Sequence, residues 1–232
     1  MFTVTFVRHG ETKMNAAKIV QSRTPGELSE RGVHMAESLG KHICNEKFTR
    51  IYSSDLTRCH DTTLHILKQS LQGQPDLVLD ETLRERDYGD LEFQSTSVTH
   101  DIHVETGNPI HAIPIPGGET YEATMKRTAK FFSGLCKLAD ASREPENVLV
   151  VTHGAWLMCF LDYLATNKGA FELENCDETQ RTSAPRNTAT TRLIIHKKGA
   201  DGNEEEKRRV EFIQIHDIAH LVAANIIPIS PS

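Results

Sequence analysis

The sequence contains no long hydrophobic run: its 232 residues are 38% hydrophobic, and the apolar stretches are short. A membrane-spanning helix needs about 20 consecutive apolar residues, and no stretch comes close to that length. The segment MFTVTFVRHG also lacks the positively charged region followed by an apolar one that a secretory signal has. We therefore expect a cytoplasmic protein that makes no contact with membranes.

Cysteine is scarce and follows no recognisable pattern. The five cysteines are an odd number without C-x-x-C spacing, which argues against a disulfide framework and against a zinc knuckle. We interpret them as reduced thiols, which fits the expected cytoplasmic location. We also expect no metal and no other cofactor.

A strong charge of either sign is missing too. The chain has 26 lysines and arginines against 32 aspartates and glutamates, so its formal charge is −6, and the charges are spread along the sequence. This mild acidic balance predicts no binding of nucleic acid, although it still allows a local basic pocket. The length and composition favour one compact domain over residues 1–232.

The chain does contain an alternation of strand and helix patterns. Short apolar segments predict strands at 3–8, 50–54, 76–80 and 147–154. Apolar residues at helical spacing predict helices from Glu30 to about Glu46, with Ser29 as the cap, at 56–71, at 120–138 and from Gly154 onward. The alternation indicates an α/β fold, namely a three-layer α/β/α sandwich around a mostly parallel sheet.

Two regions lack such a clear alternation. Residues 90–118 are polar and end in a segment rich in proline and glycine, which predicts an irregular, lid-like excursion over the surface. After a polar stretch at 172–188, the segments TTRLIIH and RVEFIQIH flank a charged loop. They predict a hairpin at the edge of the sheet.

Three polar motifs lie directly after predicted strands. RHGET follows the first strand, SSDLTR overlaps and follows RIYSS, and THGA follows VLVV. In parallel α/β sheets, the loops beyond the carboxyl ends of the strands meet at one edge. The three motifs are therefore predicted to share one cleft, although they are far apart in the sequence.

These motifs supply the groups that phosphoryl transfer needs. Arg8 and Arg58 offer planar guanidinium groups that match phosphate oxygens. His9 and His153 each precede a glycine, where backbone N–H groups can approach an anion, and a helix that begins near Ala155 favours phosphate at its N-terminus. At this stage either neutral imidazole could act as the nucleophile.

The proton donor for the leaving group is best sought in the motif LRERDYG. Its Glu85 lies between Arg84 and Arg86, just before a glycine. The alternative is that Glu85 simply forms a salt bridge with one of these arginines.

Five ordered motifs carry a resemblance to a known family. They are RHGETxxN from Arg8, SSDLxR from Ser53, LRERxYG from Leu83, PGGET at 116–120 and VTHGA at 151–155. Together they resemble the histidine phosphatase superfamily, also called phosphoglycerate mutase-like. Within it the chain looks most like the TIGAR branch of fructose-2,6-bisphosphatase-like enzymes. The resemblance spans the chain and implies the fold of that superfamily.

The resemblance also implies a role for each matching position. His9 matches the histidine that becomes phosphorylated, and Glu85 matches the residue that donates a proton and later accepts one from water. The positions that match residues holding the phosphoryl group are Arg8, Arg58 and His153. The positions expected to contact the substrate are Asn15, Gln21, Ser22 and Gly154.

The function that the resemblance implies is hydrolysis of a small phosphorylated metabolite, such as the sugar bisphosphate fructose 2,6-bisphosphate. The alternatives are a phosphoglycerate mutase and a broad-specificity or phosphoprotein phosphatase. Mutases of the superfamily carry a longer insertion where this chain has only residues 90–116, which favours hydrolysis. Gln21-Ser22 and Phe93 depart from the usual pattern, and these departures concern the substrate more than the chemistry.

Two hypotheses outside this class stay open. A metal-dependent hydrolase would use ligand-type residues such as those at 100–105, although their spacing fits no common zinc pattern and predicts a solvated loop. A non-catalytic binding protein would keep the fold without the chemistry. The presence of all five reactive positions argues against this last hypothesis.

Overall fold

A computed structural model describes residues 1–198 and 207–227 of the chain. Its strands are β1 (Phe2–Arg8), β2 (Arg50–Ser53), β3 (Leu77–Leu79), β4 (Glu146–Thr152), β5 (Phe171–Glu174), β6 (Thr190–Ile195) and β7 (Arg208–Asp217). Within the described residues these form one mixed sheet of seven strands in the order β3-β2-β4-β1-β6-β7-β5. The first four strands in this order are parallel to one another, which places their carboxyl ends at one edge.

The helices connect these strands, and the four that the sequence predicted begin within one residue of the predicted positions. They are α1 (Lys13–Ala16), α2 (Glu30–His42), α3 (Thr57–Leu67), α4 (Ser97–Thr106), α5 (Tyr121–Ala141), α6 (Gly154–Thr166), α7 (Glu178–Thr182) and α8 (Ala219–Ala223), with one-turn 3-10 helices at Glu81–Leu83, Gly89–Leu91 and Ile110–Ala112. The predicted cap is confirmed, because the Ser29 hydroxyl accepts from the Gly32 amide at 3.0 Å. None of the helices in the described ranges has both the length and the apolar character needed to cross a membrane.

Helices cover both faces of the sheet and give the fold three layers. On one face, α5 and α6 pack on apolar side chains of β1 and β4, with Phe6 in contact with Trp156 and Phe160. On the other face, α2 and α3 cover a second cluster that contains Val7 and Leu39. Phe6 and Val7 are neighbours in β1, and their side chains point to opposite faces because a strand alternates. The α/β/α sandwich is thereby confirmed.

The register of the parallel strands determines where the three motifs emerge. Arg8 at the end of β1 pairs with Thr152 at the end of β4. On the other side of β4, Ser53 of β2 pairs with Val151. The residues after these three strands therefore come out side by side at one edge of the sheet, as the sequence predicted.

The predicted pairing of β6 and β7 is present, but their predicted place at the edge of the sheet is wrong. β6 and β7 are antiparallel neighbours, but β6 also pairs with β1, and β7 also pairs with β5. The edge is formed by β5, whose four residues precede and overlap the polar stretch 172–188. Four residues are too few for an alternating pattern to be recognised, and the pairing depends on contacts distant in sequence. Part of the predicted hairpin loop, 199–206, lies outside the described residues.

Residues 90–118 contain more regular structure than the predicted irregular excursion. α4 lies within them, but Thr99 is its only fully buried residue, so this helix has no apolar stripe by which the sequence could reveal it. The segment is held in place by Arg86, which is 1% exposed and donates to the carbonyl oxygens of His111 and Ile113. A buried arginine with backbone partners fixes a loop strongly, because its charge must stay hydrogen-bonded.

Candidate active site

A cavity of about 590 Å³ opens at the carboxyl ends of β1 and β4. Its wall includes Arg8 at the end of β1, Glu85 before the 3-10 helix of residues 89–91, and Gly154 at the start of α6. α4 and the turn after it contribute further wall residues, among them His103 and His111. The segment that the sequence predicted to be lid-like thus borders the cavity.

His9 is buried directly after β1, with 3% of its surface exposed. Its Nδ1 lies 2.7 Å from the carbonyl oxygen of Gly10. A carbonyl oxygen can only accept a hydrogen bond, so Nδ1 carries the ring proton and Nε2 keeps its lone pair. Burial, together with the charges of Arg58 and Arg8, lowers the pKa of His9 well below its ordinary value and keeps the ring neutral. Such an imidazole is a competent nucleophile.

His153 follows β4 and contacts His9 edge to face, with ring centroids 5.2 Å apart. Its Nε2 and the hydroxyl of Ser54 form a hydrogen bond of 2.9 Å, and the Cys59 sulfur lies 3.3 Å away. Burial and the charge of Arg58 lower the pKa of His153 well below its ordinary value. The motifs alone left open which histidine reacts, and the family resemblance implied His9. The structure distinguishes them, because only Nε2 of His9 has no partner among the described residues.

The two predicted arginines each keep at least one N–H group free of partners in the described part of the chain. Arg8 donates through Nη1 to the Pro185 carbonyl at 2.7 Å. Arg58, which is 1% exposed, donates through Nη1 and Nη2 to three carbonyls of the loop 22–25 at 2.7–3.1 Å. The Nε atoms of both arginines are buried and unpaired. Unpaired guanidinium donors beside two neutral imidazoles suit an anion.

Gly10, the glycine after His9, has a different role in the structure from the one that we predicted. The amide of Gly10 does not face an anion, because it donates to the Thr62 hydroxyl at 2.9 Å. The position needs glycine because a Cβ would lie only 2.7 Å from the carbonyl oxygen of Gly32 in α2. The glycine therefore allows close packing of the motif against α2.

Glu85 is 8% exposed and lies at the N-terminus of α6. Its carboxylate accepts from the backbone amides of Arg86 at 2.9 Å, Trp156 at 3.1 Å and Ala155 at 3.4 Å. The first amides of α6, which we predicted to face phosphate, thus hold this carboxylate instead. The salt-bridge alternative is wrong, since Arg84 pairs with another carboxylate and Arg86 with backbone carbonyls.

Three of the four residues expected to contact substrate line the cavity: Asn15, Gln21 and Gly154. The Oδ1 atom of Asn15 accepts from the Thr12 amide at 3.2 Å, and the Oε1 atom of Gln21 accepts from the Thr12 hydroxyl at 2.8 Å. Because each side-chain oxygen already accepts a hydrogen bond, the NH₂ group is the part of each side chain that can bind a ligand, as a donor. Their contacts with substrate remain predictions.

Ser22 differs from the prediction. It is fully buried, and like His9, Arg58 and His153, which lie beneath the wall, it is absent from the residues that line the cavity; unlike them, it has a hydroxyl whose bonds are all made within the protein. Its hydroxyl accepts from the Tyr88 amide at 2.7 Å and donates to the Arg86 carbonyl at 3.2 Å. The side chain thereby ties the loop 22–25 to the segment that carries Glu85.

Two residues that no local pattern singled out also hold the site together. Arg127 of α5 donates to the carbonyls of Thr82 and Arg84 at 2.8 and 2.7 Å, which fixes the segment before the glutamate of the LRERDYG motif. Asn187 donates to the carbonyl oxygen of His9 at 3.0 Å. Arg127 lies outside the apolar stripe of its helix, and Asn187 lies in the polar stretch 172–188. No motif or periodic pattern in a single sequence therefore marks either residue as part of the site.

The ligand-type residues at 100–105 lie on α4. The rings of His100 and His103 are 6.0 Å apart. Over the ranges that the structure describes, no three histidine, cysteine, aspartate or glutamate side chains come close enough to hold a metal ion. The segment therefore offers no ligand set to the metal-dependent hypothesis.

Buried neutral histidines predict that the protein loses stability in acid. His220 is 2% exposed and forms a 2.9 Å hydrogen bond with Thr188, and burial lowers its pKa to about 4. In the unfolded chain it titrates near 6.5, so the unfolded state binds protons first as the pH falls through that value. Between about pH 7 and pH 5, His220 alone should lower the free energy of unfolding by about 2 kcal/mol.

Urea unfolding followed by the fluorescence of Trp156, the one tryptophan of the sequence, measures this loss. His220→Gln should reduce the pH dependence, whereas His34→Gln, at an exposed position of α2, should leave it as in the wild type. An unchanged pH dependence in His220→Gln would contradict the prediction.

The three-layer fold and the two histidines at adjoining strand ends define an α/β enzyme whose site is directed at an anionic group. The chain belongs to the histidine phosphatase superfamily (branch 1), whose sequence profile matches residues 4–199.

Individual relatives agree with this family. The chain is 30% identical to the fructose-2,6-bisphosphatase TIGAR of Bos taurus, in an alignment that covers 98% of this chain and 99% of the relative. It is 29% identical to the 2,3-bisphosphoglycerate-dependent phosphoglycerate mutase of Parvibaculum lavamentivorans, over 65% of this chain and 74% of that one. The solved phosphoglycerate mutase of Bacillus anthracis shares the fold with a TM-score of 0.75, at 23% identity and with coverage of 97% and 96%.

Proposed function

We propose that the chain hydrolyses phosphate esters of small metabolites through a covalent phosphohistidine on His9. The observation that carries the proposal is the hydrogen bond from His9 Nδ1 to the Gly10 carbonyl, which leaves Nε2 unprotonated. In the first step Nε2 forms a bond to phosphorus, and the P–O bond to the leaving group breaks. The unpaired N–H groups of Arg8 and Arg58, together with His153, stabilise the charge of the phosphoryl group during transfer.

Glu85 serves as general acid and then as general base. In the first step its proton goes to the oxygen of the leaving group. In the second step water attacks phosphorus, the P–N bond breaks, and a proton of the water passes to Glu85. Its place in the cavity wall supports these roles, because a catalytic acid must reach both the leaving oxygen and the incoming water.

We further propose a sugar bisphosphate such as fructose 2,6-bisphosphate as the substrate. The bovine relative bears this activity in its name and aligns with nearly the whole chain. Asn15, Gln21 and Gly154 supply the contacts from the wall of the cavity. A phosphoglycerate mutase is the second candidate, favoured by the name of the Parvibaculum relative, and a broad-specificity or phosphoprotein phosphatase is the third. The cytoplasmic location stays a prediction from the sequence.

Rapid quenching of the enzyme with a phosphate-labelled sugar bisphosphate tests the chemistry. The expected result is labelled protein that is stable in alkali and loses its label in acid, as a phosphorus–nitrogen bond does. Absence of labelled protein in an active preparation would overturn the proposal. Faster isomerisation of 3-phosphoglycerate than release of phosphate would favour the mutase. Activity that EDTA abolishes and zinc restores would favour a metal-dependent hydrolase.

A further inference from the structure

The cavity has few permanent charges with which to hold a substrate that carries two phosphates. Among the described residues of its wall, Arg8 is the only lysine or arginine. Arg8 is committed to the transferred phosphoryl group in the proposed function. The remaining wall residues that can become cationic are two histidines from α4 and the turn that follows it, His103 and His111.

His111 is buried, and one of its ring nitrogens is anchored. Nε2 lies 2.6 Å from a carboxylate oxygen of Asp162 in α6. Asp162 also accepts from the Tyr121 hydroxyl and from Arg181, each at 2.8 Å. Burial alone would raise the pKa of Asp162, but the hydrogen bonds from His111 and Tyr121 lower it, so the carboxylate is ionised. An ionised carboxylate can only accept, so Nε2 of His111 carries a proton.

The other nitrogen of His111 is left without a hydrogen-bond partner within the described ranges. Nδ1 is buried and has no hydrogen-bond partner among the residues that the structure describes. A buried polar atom without a partner is costly, and a ligand in the adjoining cavity can supply the missing partner.

His103 is arranged in the same way. It is half-buried, and its Nδ1 donates to the carbonyl oxygen of Asn108 at 2.6 Å. The carbonyl fixes the proton on Nδ1, so Nε2 is the nitrogen left for a ligand. Both histidines therefore have one protonated nitrogen anchored on the protein and a second nitrogen free, and both line the same cavity.

We propose that His103 and His111 form a second anion subsite, which holds the phosphate of a bisphosphate that is not transferred. The proposal rests on the proposed function, whose substrate class it explains. When the free nitrogen of each ring takes up a proton, the ring donates a charge-assisted hydrogen bond to the anion. Because this bond needs the second proton on each ring, lowering the pH should strengthen the binding of a second phosphate.

Charged and titratable groups face the two histidine rings from several neighbouring elements. Facing His111 are the Asp162 carboxylate of α6, the Arg181 guanidinium of α7 and the Tyr121 hydroxyl of α5. The Arg86 guanidinium binds the carbonyl oxygen of His111, and the Cys159 thiol lies 3.9 Å from that oxygen. Facing His103 is the ring of His100 on the same helix.

Binding to a His9→Ala background tests the subsite without turnover. Isothermal titration calorimetry compares fructose 2,6-bisphosphate with fructose 6-phosphate, which carries one phosphate. At about pH 6, the preference for the bisphosphate should fall about tenfold in His103→Gln/His111→Gln, because two charge-assisted hydrogen bonds are lost. The control His100→Gln changes an exposed histidine of α4 that does not line the cavity, and it should keep the preference.

A role that is merely structural would not change with pH, so the same comparison is made at about pH 8, where proton uptake by the rings is less favourable and the effect of the double variant should be smaller. His103→Gln alone, at a half-buried position, provides a second variant if His111→Gln impairs folding, and it should lose about threefold of the preference. An unchanged preference in these variants, or equal binding of the two ligands before mutation, would overturn the subsite. Failure of the proposed function is a separate outcome: labelled protein would then be absent in the wild type whatever the binding shows.

Discussion

Replacing His9 with alanine is expected to reduce phosphate release by a factor of at least about 10⁴, because the nucleophile and the covalent step are lost together. Rapid quenching should then show no labelled protein. The side chain is buried, and its main contact is a hydrogen bond to the next residue, so the variant should still fold. Steady-state phosphate release and the quench experiment measure the two effects independently.

A matched control is His34→Ala, which removes an exposed histidine of α2. This variant should release phosphate at the wild-type rate. Label that persists in His9→Ala would contradict the assignment and would identify another nucleophile, with His153 the first candidate because its ring contacts that of His9.

Replacing Glu85 with glutamine is expected to lower kcat for a sugar phosphate by about 10²–10⁴-fold, because the amide cannot protonate the leaving oxygen. The loss in the first step should be much smaller for p-nitrophenyl phosphate, whose leaving group departs without a proton. With this substrate the variant should show a burst of nitrophenol followed by slow turnover, because the base that activates water is missing as well.

Glu81→Gln is the control for this prediction, since its side chain is 77% exposed and lies in the same segment. It should leave both substrates unaffected. An equal loss for both substrates in Glu85→Gln, without a burst, would mean that the carboxylate acts only by holding the amides of Trp156 and Ala155. The two substrates thus separate proton transfer from a purely structural role.

Much of the fold could be predicted because local patterns and tertiary packing agree. The strands that end at Arg8 and Thr152 are buried on both faces, so they appear as continuous apolar or alternating runs. α2 and α5 have wide apolar stripes and serine or threonine caps. Where a local pattern was weak, as in β5 and α4, the prediction was wrong, because those elements are held by partners distant in sequence.

The site shows the same division. That the motifs meet at one edge follows from strand order and from the position of loops in parallel sheets. What each polar group binds does not follow, because hydrogen bonds depend on distances of a few tenths of an ångström between segments far apart. Gly10 packs against Gly32, and the Ser22 hydroxyl is hydrogen-bonded inside the protein. Glu85 accepts hydrogen bonds from the helix amides that were predicted to bind phosphate.

By itself, the sequence determined which reactive groups this protein has: two arginines, two histidines and a glutamate at or near strand ends. Their order along the chain is that of the histidine phosphatase superfamily. Only the tertiary structure decided which histidine has a free Nε2, since that depends on whether a carbonyl or a hydroxyl faces each ring. It also placed His103 and His111 on the wall of the cavity. The physical reason is that residue types set what a group can do, while its neighbours in space set its protonation, its partners and its access to a ligand.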